Sequence, residues 1–478
     1  MAFSFISPCI GGFPGLRYVI LVISILMLTI VGANMLAFNF TIICMFKEDS
    51  TETANRTVLY THTDHSWFVS AVAFGNLIGI LPLITFAHGW DTRWVFTFYG
   101  LVSGISMLLM PLAVSVHFAF VFVLRMMQGF GTSVTFTSIG SIVNSWSPLK
   151  SVGMYISLLT TWIQLSPLLA FPVSGALCTS TLGWQSVYYL FGGLTVVVFV
   201  IFALLYRDAA SQHPCIRSTE VSTILEERVP LSDQNPHVPY KALFSDLVIW
   251  GAIASLFAVT IGVQFMVQYG PSYLNKVLGV DIKGTAVAAA LPYLLALGAK
   301  FVIGPVSDSV TCVSERTKII IFNTVAQLPI CICFIIMAAV PKSMNWLAQL
   351  VYSLVSMFSA FNTVGVFKCI QLVARQHANI IMGLMGLTTS AVMLLLPTLV
   401  EAIATDYTRQ QWALILYLLS GIIAVMIVFF NIVCRTEPRH WTISDDTNPT
   451  ELTYMNHKDN EVRSPFLQQS TAEEILLN

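Results

Sequence analysis

Apolar runs of about twenty residues or more recur along this chain from Tyr18 to Cys434, separated by short polar stretches. A helix rising ~1.5 Å per residue needs ~20 apolar residues to cross a bilayer. Six runs lie at Tyr18–Met45, Trp67–His88, Val95–Val116, His117–Ile142, Val152–Leu177 and Val187–Tyr206. After a polar break come Leu247–Tyr269, Thr285–Val306, Lys318–Val340, Trp346–Phe367, Ala378–Ala402 and Trp412–Cys434. The pattern predicts an all-α membrane protein of twelve transmembrane helices in two sets of six. The expected organisation is a first six-helix half (1–206), a connector (207–246), a second half (247–434) and a disordered polar tail (435–478).

Composition agrees. The chain is 56% hydrophobic and 10% charged, where soluble chains carry about 25% charged residues. A formal net charge of -1 gives no electrostatic case for a nucleic-acid partner. The lipid bilayer is the expected surrounding and a monomer the expected state. The nine cysteines are scattered, mostly inside apolar runs, and read as small buried hydrophobes rather than a disulfide or metal framework. Arg17 precedes a run too long for a signal-peptide core, so the first span is expected to be an uncleaved anchor.

Lys and Arg in the loops set the expected orientation. With both termini in the cytoplasm, the inner side receives Arg17, Arg93, Lys150, Arg207, Arg217, Arg228, Lys241, Arg316, Lys318, Arg375, Arg435 and Arg439. The outer side receives only Lys47, Arg56, Lys276, Lys283, Lys342 and Arg409. The sequon Asn55-Arg56-Thr57 falls in the first outer loop, which makes Asn55 a candidate glycosylation site; Asn39-Phe40-Thr41 lies inside a span and is expected to be unmodified.

Six spans, a cytoplasmic connector and six more are the outline of the major facilitator architecture, whose halves are parallel repeats. Asp91 and Arg93 after the second span correspond to Asp308 and Arg316 after the eighth. These four are candidates for a conformational latch by ion pairing, or are solvated loop charges.

The fourth span carries the most telling chemistry. Arg125 lies roughly 12 Å in from its start, where an arginine costs on the order of 2.5–3.5 kcal/mol. Gln128, Gly129 and Thr132 follow on the same helical face. A guanidinium offers five donors in a planar fork that suits carboxylate or phosphate, and an entering anion partly offsets its burial. The alternative is an arginine held by carbonyls and hydroxyls to fix helix packing. Gln164, Gln264, Gln268, Asn323, Gln327 and Asn362 are further polar residues within spans, for which interhelical packing is the commoner role. Lys300 and Lys368, near inner span ends, can snorkel to headgroups.

In order along the chain, several motifs resemble one group. They are Arg125-x-x-Gln128-Gly129 with Val134-Thr135, Trp146-x-Pro148, and Gly183-Trp184-Gln185-Ser186-Val187-Tyr188-Tyr189. They continue with His213-Pro214-Cys215-Ile216 and Glu220, Pro239-Tyr240-Lys241-Ala242-Leu243-Phe244, Ile381-Met382-Gly383 with Pro397, and Arg409-Gln410-Gln411-Trp412. The chain resembles solute-carrier family 17, the phosphate, sialic-acid and vesicular glutamate transporters, up to about Trp441. It departs from that group where charge is usual. The family's first-span arginine falls on Ala37, the second-span histidine of some members on Val69, the fourth-span acidic residue on Thr132, and a seventh-span arginine on Val259.

The resemblance implies a secondary carrier of a small organic anion or phosphate, working by alternating access. Arg125 would be the main contact, with Asn39, Thr132, Gln264 and Tyr293 lining the cavity; Tyr293 follows Pro292 in what the resemblance implies is a broken-helix setting. No catalytic residues, metal or cofactor are expected. Thr132 cannot titrate, which puts the usual proton coupling in doubt, and coupling to Na⁺ or H⁺ stays open; Asn39, Thr41 and Thr132 would supply neutral oxygens for Na⁺. No nucleophile–base pair or phosphate-cradling loop argues for an enzyme. Loss of the charged cavity groups supports the alternative of a transport-inactive receptor or scaffold. The expected location is the plasma membrane or a vesicle or lysosome membrane.

Overall fold

The computed structural model describes residues 15–45, 62–85, 91–148, 151–225, 240–277, 281–309, 313–340, 344–363, 365–374, 378–404 and 408–437. Asn55, connector residues 226–239 and the tail from 438 onward lie outside the described residues.

Long apolar runs without acidic or basic interruptions become long helices, because no water is present in a bilayer to satisfy an open backbone. The first three spans are α1 (Leu16–Met45), α2 (His62–Thr85) and α3 (Thr92–Val116). The fourth is α4 (Phe118–Thr132) continued by α5 (Val134–Trp146), and the fifth is α6 (Val152–Leu159) continued by α7 (Trp162–Cys178). The sixth is α8 (Gln185–Leu205), followed by short helices α9 (Ser218–Leu225) and α10 (Tyr240–Ser245). The second set is α11 (Leu247–Ser272), α12 (Ile282–Ser309), α13 (Glu315–Ala339), α14 (Asn345–Ser359) with α15 (Val366–Ala374), α16 (Ala378–Ile403) and α17 (Arg409–Val433). Among the described residues, eleven helices are long and apolar enough to cross a membrane, and α2 adds the shorter apolar segment Trp67–Leu83. Val22, Leu26, Phe98, Leu112, Val200, Leu204, Val425 and Ile432 are exposed apolar side chains on these helices, as a lipid-facing surface requires.

The two sets repeat one neighbour pattern. In the first, α1 packs on α7 and α8, α3 on α8 and α4, and α2 on α4. In the second, the corresponding helices pair as α11 with α16 and α17, α13 with α17 and α14, and α12 with α14. The halves meet where α7 lies along α12 and α2 along α16, again corresponding pairs, with α1 touching α11.

Two helix breaks have a local cause. Thr132, Ser133, Thr135 and Ser138 each turn the hydroxyl back onto the carbonyl three residues earlier, a habit that bends helices, and the α4–α5 junction is there. Thr160 and Thr161 do the same at the α6–α7 junction. Pro292 does not break α12, which runs continuously through Tyr293 to Ser309. The broken-helix setting implied for Tyr293 is therefore not found.

Motif residues build the joint where the first half meets its connector. Trp146 donates from Nε1 to the Arg207 carbonyl at 2.9 Å and packs edge-on against His213. His213 Nδ1 accepts from Cys215 N and its Nε2 faces the Leu205 carbonyl, both at 3.1 Å. Glu220 Oε1 accepts from the Arg17 backbone N–H at 3.1 Å, an anion placed at the start of α1 where the helix dipole favours it.

The cysteine expectation is corrected: Cys215 is disulfide-bonded, and a second bridge links α1 to α7. Cys44 at the end of α1 and Cys178 at the end of α7 form a disulfide with Cα atoms 6.1 Å apart. Residues 134 positions apart are brought together by helix packing, which no spacing rule discloses. Cys331, Cys333, Cys369 and Cys434 are free and buried, as expected of small hydrophobes.

Candidate functional site

Arg125 projects from α4 into the interior of the first half and is 1% exposed. Its Nε donates to the Phe68 carbonyl at 3.2 Å. Nη1 donates to the Met35 carbonyl at 3.2 Å and to Gln128 Oε1 at 2.8 Å. The guanidinium also lies 4.5 Å from the Phe38 ring centroid, over its face. None of these bonds engages Nη2, and no carboxylate pairs with the group among the described residues. Gln128 is fixed in turn, donating from Nε2 to Met107 Sδ at 3.1 Å.

α4 can hold an arginine there because it touches α2 backbone to backbone. A Cβ on Gly129 would meet the Val72 carbonyl, and one on Gly75 the Met126 carbonyl. The close approach brings the Phe68 carbonyl of α2 within reach of the guanidinium, which is the packing role weighed from the sequence. It also leaves one arm of the fork unused, as an anion contact needs.

The other expected lining residues are spread over the helices that meet between the halves. Asn39 on α1 is 3% exposed and its Oδ1 has no partner. Gln264 on α11 likewise leaves Oε1 unpaired. Tyr293 on α12 is 2% exposed, stacks edge-on with Phe171 of α7, and its hydroxyl has no partner. Thr132 is buried but its hydroxyl is spent on the Gly129 carbonyl at 2.7 Å. Thr41 Oγ1 is paired with the Tyr188 hydroxyl at 2.7 Å.

Two side chains depart from the sequence reading. Gln268 on α11 is 1% exposed and neither its Oε1 nor its Nε2 has a partner, unlike a packing amide. Asn323 and Gln327 do behave as packing amides, sharing Ser255 across α11 and α13. Lys368 pairs with Glu315 Oε2 at 3.1 Å, and Glu315 also holds Lys318 at 2.8 Å. Lys300 does not snorkel; it is 5% exposed and donates to Thr160 Oγ1 at 2.7 Å. The hydrophobic pattern could not reveal this, because α12 turns that face toward α7 rather than toward the membrane surface.

Asp91 precedes α3 as its N-cap without a side-chain cap bond. Arg93 Nε donates to the Ala203 carbonyl, its backbone N–H to Asp208 Oδ1 at 3.0 Å, and its guanidinium covers Trp94. Arg316 is exposed in the first turn of α13, and Asp308 lies in the last turn of α12.

The halves make close contacts toward both ends of the seam between them. Near the Cys44–Cys178 end, Gly175 of α7 sits against Ala286 of α12 and Phe40 of α1. Near the connector end, Gly386 of α16 sits against Ile80 of α2 and Phe136 of α5. Chemically, the arrangement offers a buried cation and neutral amides to a solute, and among the described residues no group of three or more metal-ligating side chains occurs.

The sequence model of the Major Facilitator Superfamily matches residues 18–397. Human sodium-dependent phosphate transport protein 1 is 26% identical over 380 residues, covering 78% of this chain and 80% of that protein. Human sialin is 22% identical over 389 residues, 79% and 77% of the two chains. Vesicular glutamate transporter 1 of Xenopus laevis is 24% identical over 377 residues, 76% and 64% of the two chains. These relatives bear out the resemblance to solute-carrier family 17, and the low identities make this chain a divergent member. Among solved structures, the D-xylose-proton symporter aligns with a TM-score of 0.63 at 12% identity, covering 88% of this chain and 98% of that one. A bacterial homolog of the human lysosomal transporter Spinster, inward-facing and occupied, gives 0.61 at 14% identity, covering 89% and 98%. At such identities these two carry the fold alone.

Proposed function

The chain belongs to the Major Facilitator Superfamily, and on that premise we propose that it is a secondary carrier of a small organic anion or phosphate, working by alternating access. The observation that carries this reading is Arg125: a buried guanidinium with no carboxylate partner among the described residues and with Nη2 left unbonded. A permanently charged group kept in that state is stabilised when an anion arrives. Asn39, Gln264 and Tyr293 are assigned to the solute path because they lie on helices that meet between the halves. The connector end is assigned to the cytoplasm from the Lys and Arg bias of the loops. Asp91, Arg93, Asp308 and Arg316 are assigned to a cytoplasmic conformational latch. Rocking of one half against the other would open the seam first at one closure and then at the other.

The test is uptake into proteoliposomes of labelled glutamate, sialic acid, urate and phosphate, under imposed pH, Na⁺ and voltage gradients in turn. Wild type should show saturable uptake of at least one anion, and Arg125→Ala should lower kcat/KM by about tenfold or more. The gradient that drives uptake identifies the coupling ion. No uptake under any gradient by folded, monodisperse protein would move the assignment to a receptor or scaffold.

A further inference from the structure

Lys300 is a second buried cation, and the family's motifs give it no part. Its Nζ donates to Thr160 Oγ1 at 2.7 Å, and no carboxylate pairs with it among the described residues. An ammonium has three donors, so two remain unspent. Lys300 stands on α12 of the second half and Thr160 at the α6–α7 junction of the first, so the bond spans the seam between the halves. The Thr160 hydroxyl also lies within hydrogen-bond distance of the Ile156 and Ser157 carbonyls, at 2.8 and 3.0 Å. It is therefore a neutral and shared partner for a full charge.

As a purely structural choice this is poor. A buried charge facing a single hydroxyl is unfavourable, and an apolar side chain of similar volume would fill the site without that cost. Lys300 and Arg125 also differ in depth. α4 and α12 both run from the end bearing Cys178 toward the connector end. Arg125 is seven residues into α4 and Lys300 eighteen residues into α12, roughly 10 and 27 Å along at the helical rise. The two cations thus stand on opposite halves and at different depths, one toward each end of the path.

We propose that Lys300 is a second oxyanion contact on the connector side, which takes the carboxylate or phosphate after Arg125 as the seam opens there. The inference rests on the carrier reading above. Opening the connector end separates α12 from the α6–α7 junction, and the bond to Thr160 breaks. The freed ammonium then meets the solute's charge. Offset by roughly 16 Å along the helical rise, the two cations act in sequence on one anionic group.

Uptake is measured in membrane vesicles of both orientations, with labelled glutamate and labelled phosphate as probes. The variants are Lys300→Gln, which keeps a hydrogen-bond donor but loses the charge, and Lys300→Arg, which keeps the charge. For solute presented at the connector face, Lys300→Gln should raise KM by about tenfold, and Lys300→Arg should restore most of it. For solute presented at the opposite face, the change in KM should stay within about twofold. Lys300→Gln behaving as wild type, or an equal change at both faces, would show that Lys300 is only a strap to Thr160 and overturn the inference with the carrier reading intact. Absence of saturable uptake by wild type in either orientation would overturn both.

Discussion

Gly75 and Gly129 let α2 and α4 touch backbone to backbone, each standing where a Cβ would be driven into a carbonyl of the other helix. Gly75 meets Met126 and Gly129 meets Val72. The pair sets how near the Phe68 carbonyl comes to Arg125, one turn away, and so joins helix packing to the state of the cation.

Gly129→Val should therefore fail in two ways. Overpacking costs about 1–3 kcal/mol, read as a lower melting temperature in detergent. Displacement of α2 from Arg125 should lower uptake further than the loss of stability explains. A variant that keeps wild-type melting and uptake would contradict the close approach.

Gly386 on α16 is the corresponding test of the connector-end closure, where any side chain meets Ile80. Gly386→Leu should hold that end open. A thiol-reactive probe that cannot cross the membrane should then reach a cysteine placed at Phe136 from the connector side only, while net uptake falls. Unchanged uptake would mean that the closure is not part of the cycle.

Gln268 buries an amide with neither polar atom paired. A buried unsatisfied group costs about 1–3 kcal/mol, so Gln268→Leu should raise the melting temperature. If the amide waits for solute, uptake by this more stable protein should drop. Stability and uptake moving together would assign Gln268 to packing.

The Cys44–Cys178 disulfide closes a loop of more than a hundred residues within the first half. Denatured without reductant, wild type should protect Cys178 from alkylation, and Cys44→Ser should expose it. Loss of the crosslink should lower stability by about 2–4 kcal/mol.

His213 gives the connector joint a pH dependence. Burial, and then the nearby positive charge of Arg207, lower its pKa from the ordinary histidine value. Nδ1 accepts from Cys215 N, so the folded joint favours the neutral ring with its proton on Nε2. The unfolded chain binds the proton more readily, so stability rises with pH through this window. The contribution is fully present above the unfolded value of about 6.5 and is lost as pH falls below it. Melting temperature should drop more steeply below pH 6.5 in wild type than in His213→Gln. Parallel curves would remove His213 from the joint's energetics.

Much of the architecture is written in the chain. Runs of apolar residues must hydrogen-bond internally in lipid, which makes them helices, and their number and the polar break after Tyr206 imply two sets of six. The cost of Arg125 in an apolar run was likewise legible, because charge at that depth is unfavourable wherever it points. What the sequence could not supply was which faces meet. Lys300 and Lys368 look alike in hydropathy, yet one bonds to Thr160 across the seam and the other to Glu315 on its own half. Trp146 and His213 are 67 positions apart and become one joint; Cys44 and Cys178 become one bond. Gln268 and Gln327 are both amides within spans, and only packing leaves the first without partners and gives the second three contacts. Secondary structure here follows from local solvation, whereas partnership follows from helix rotation and close approach, which only the tertiary structure decides.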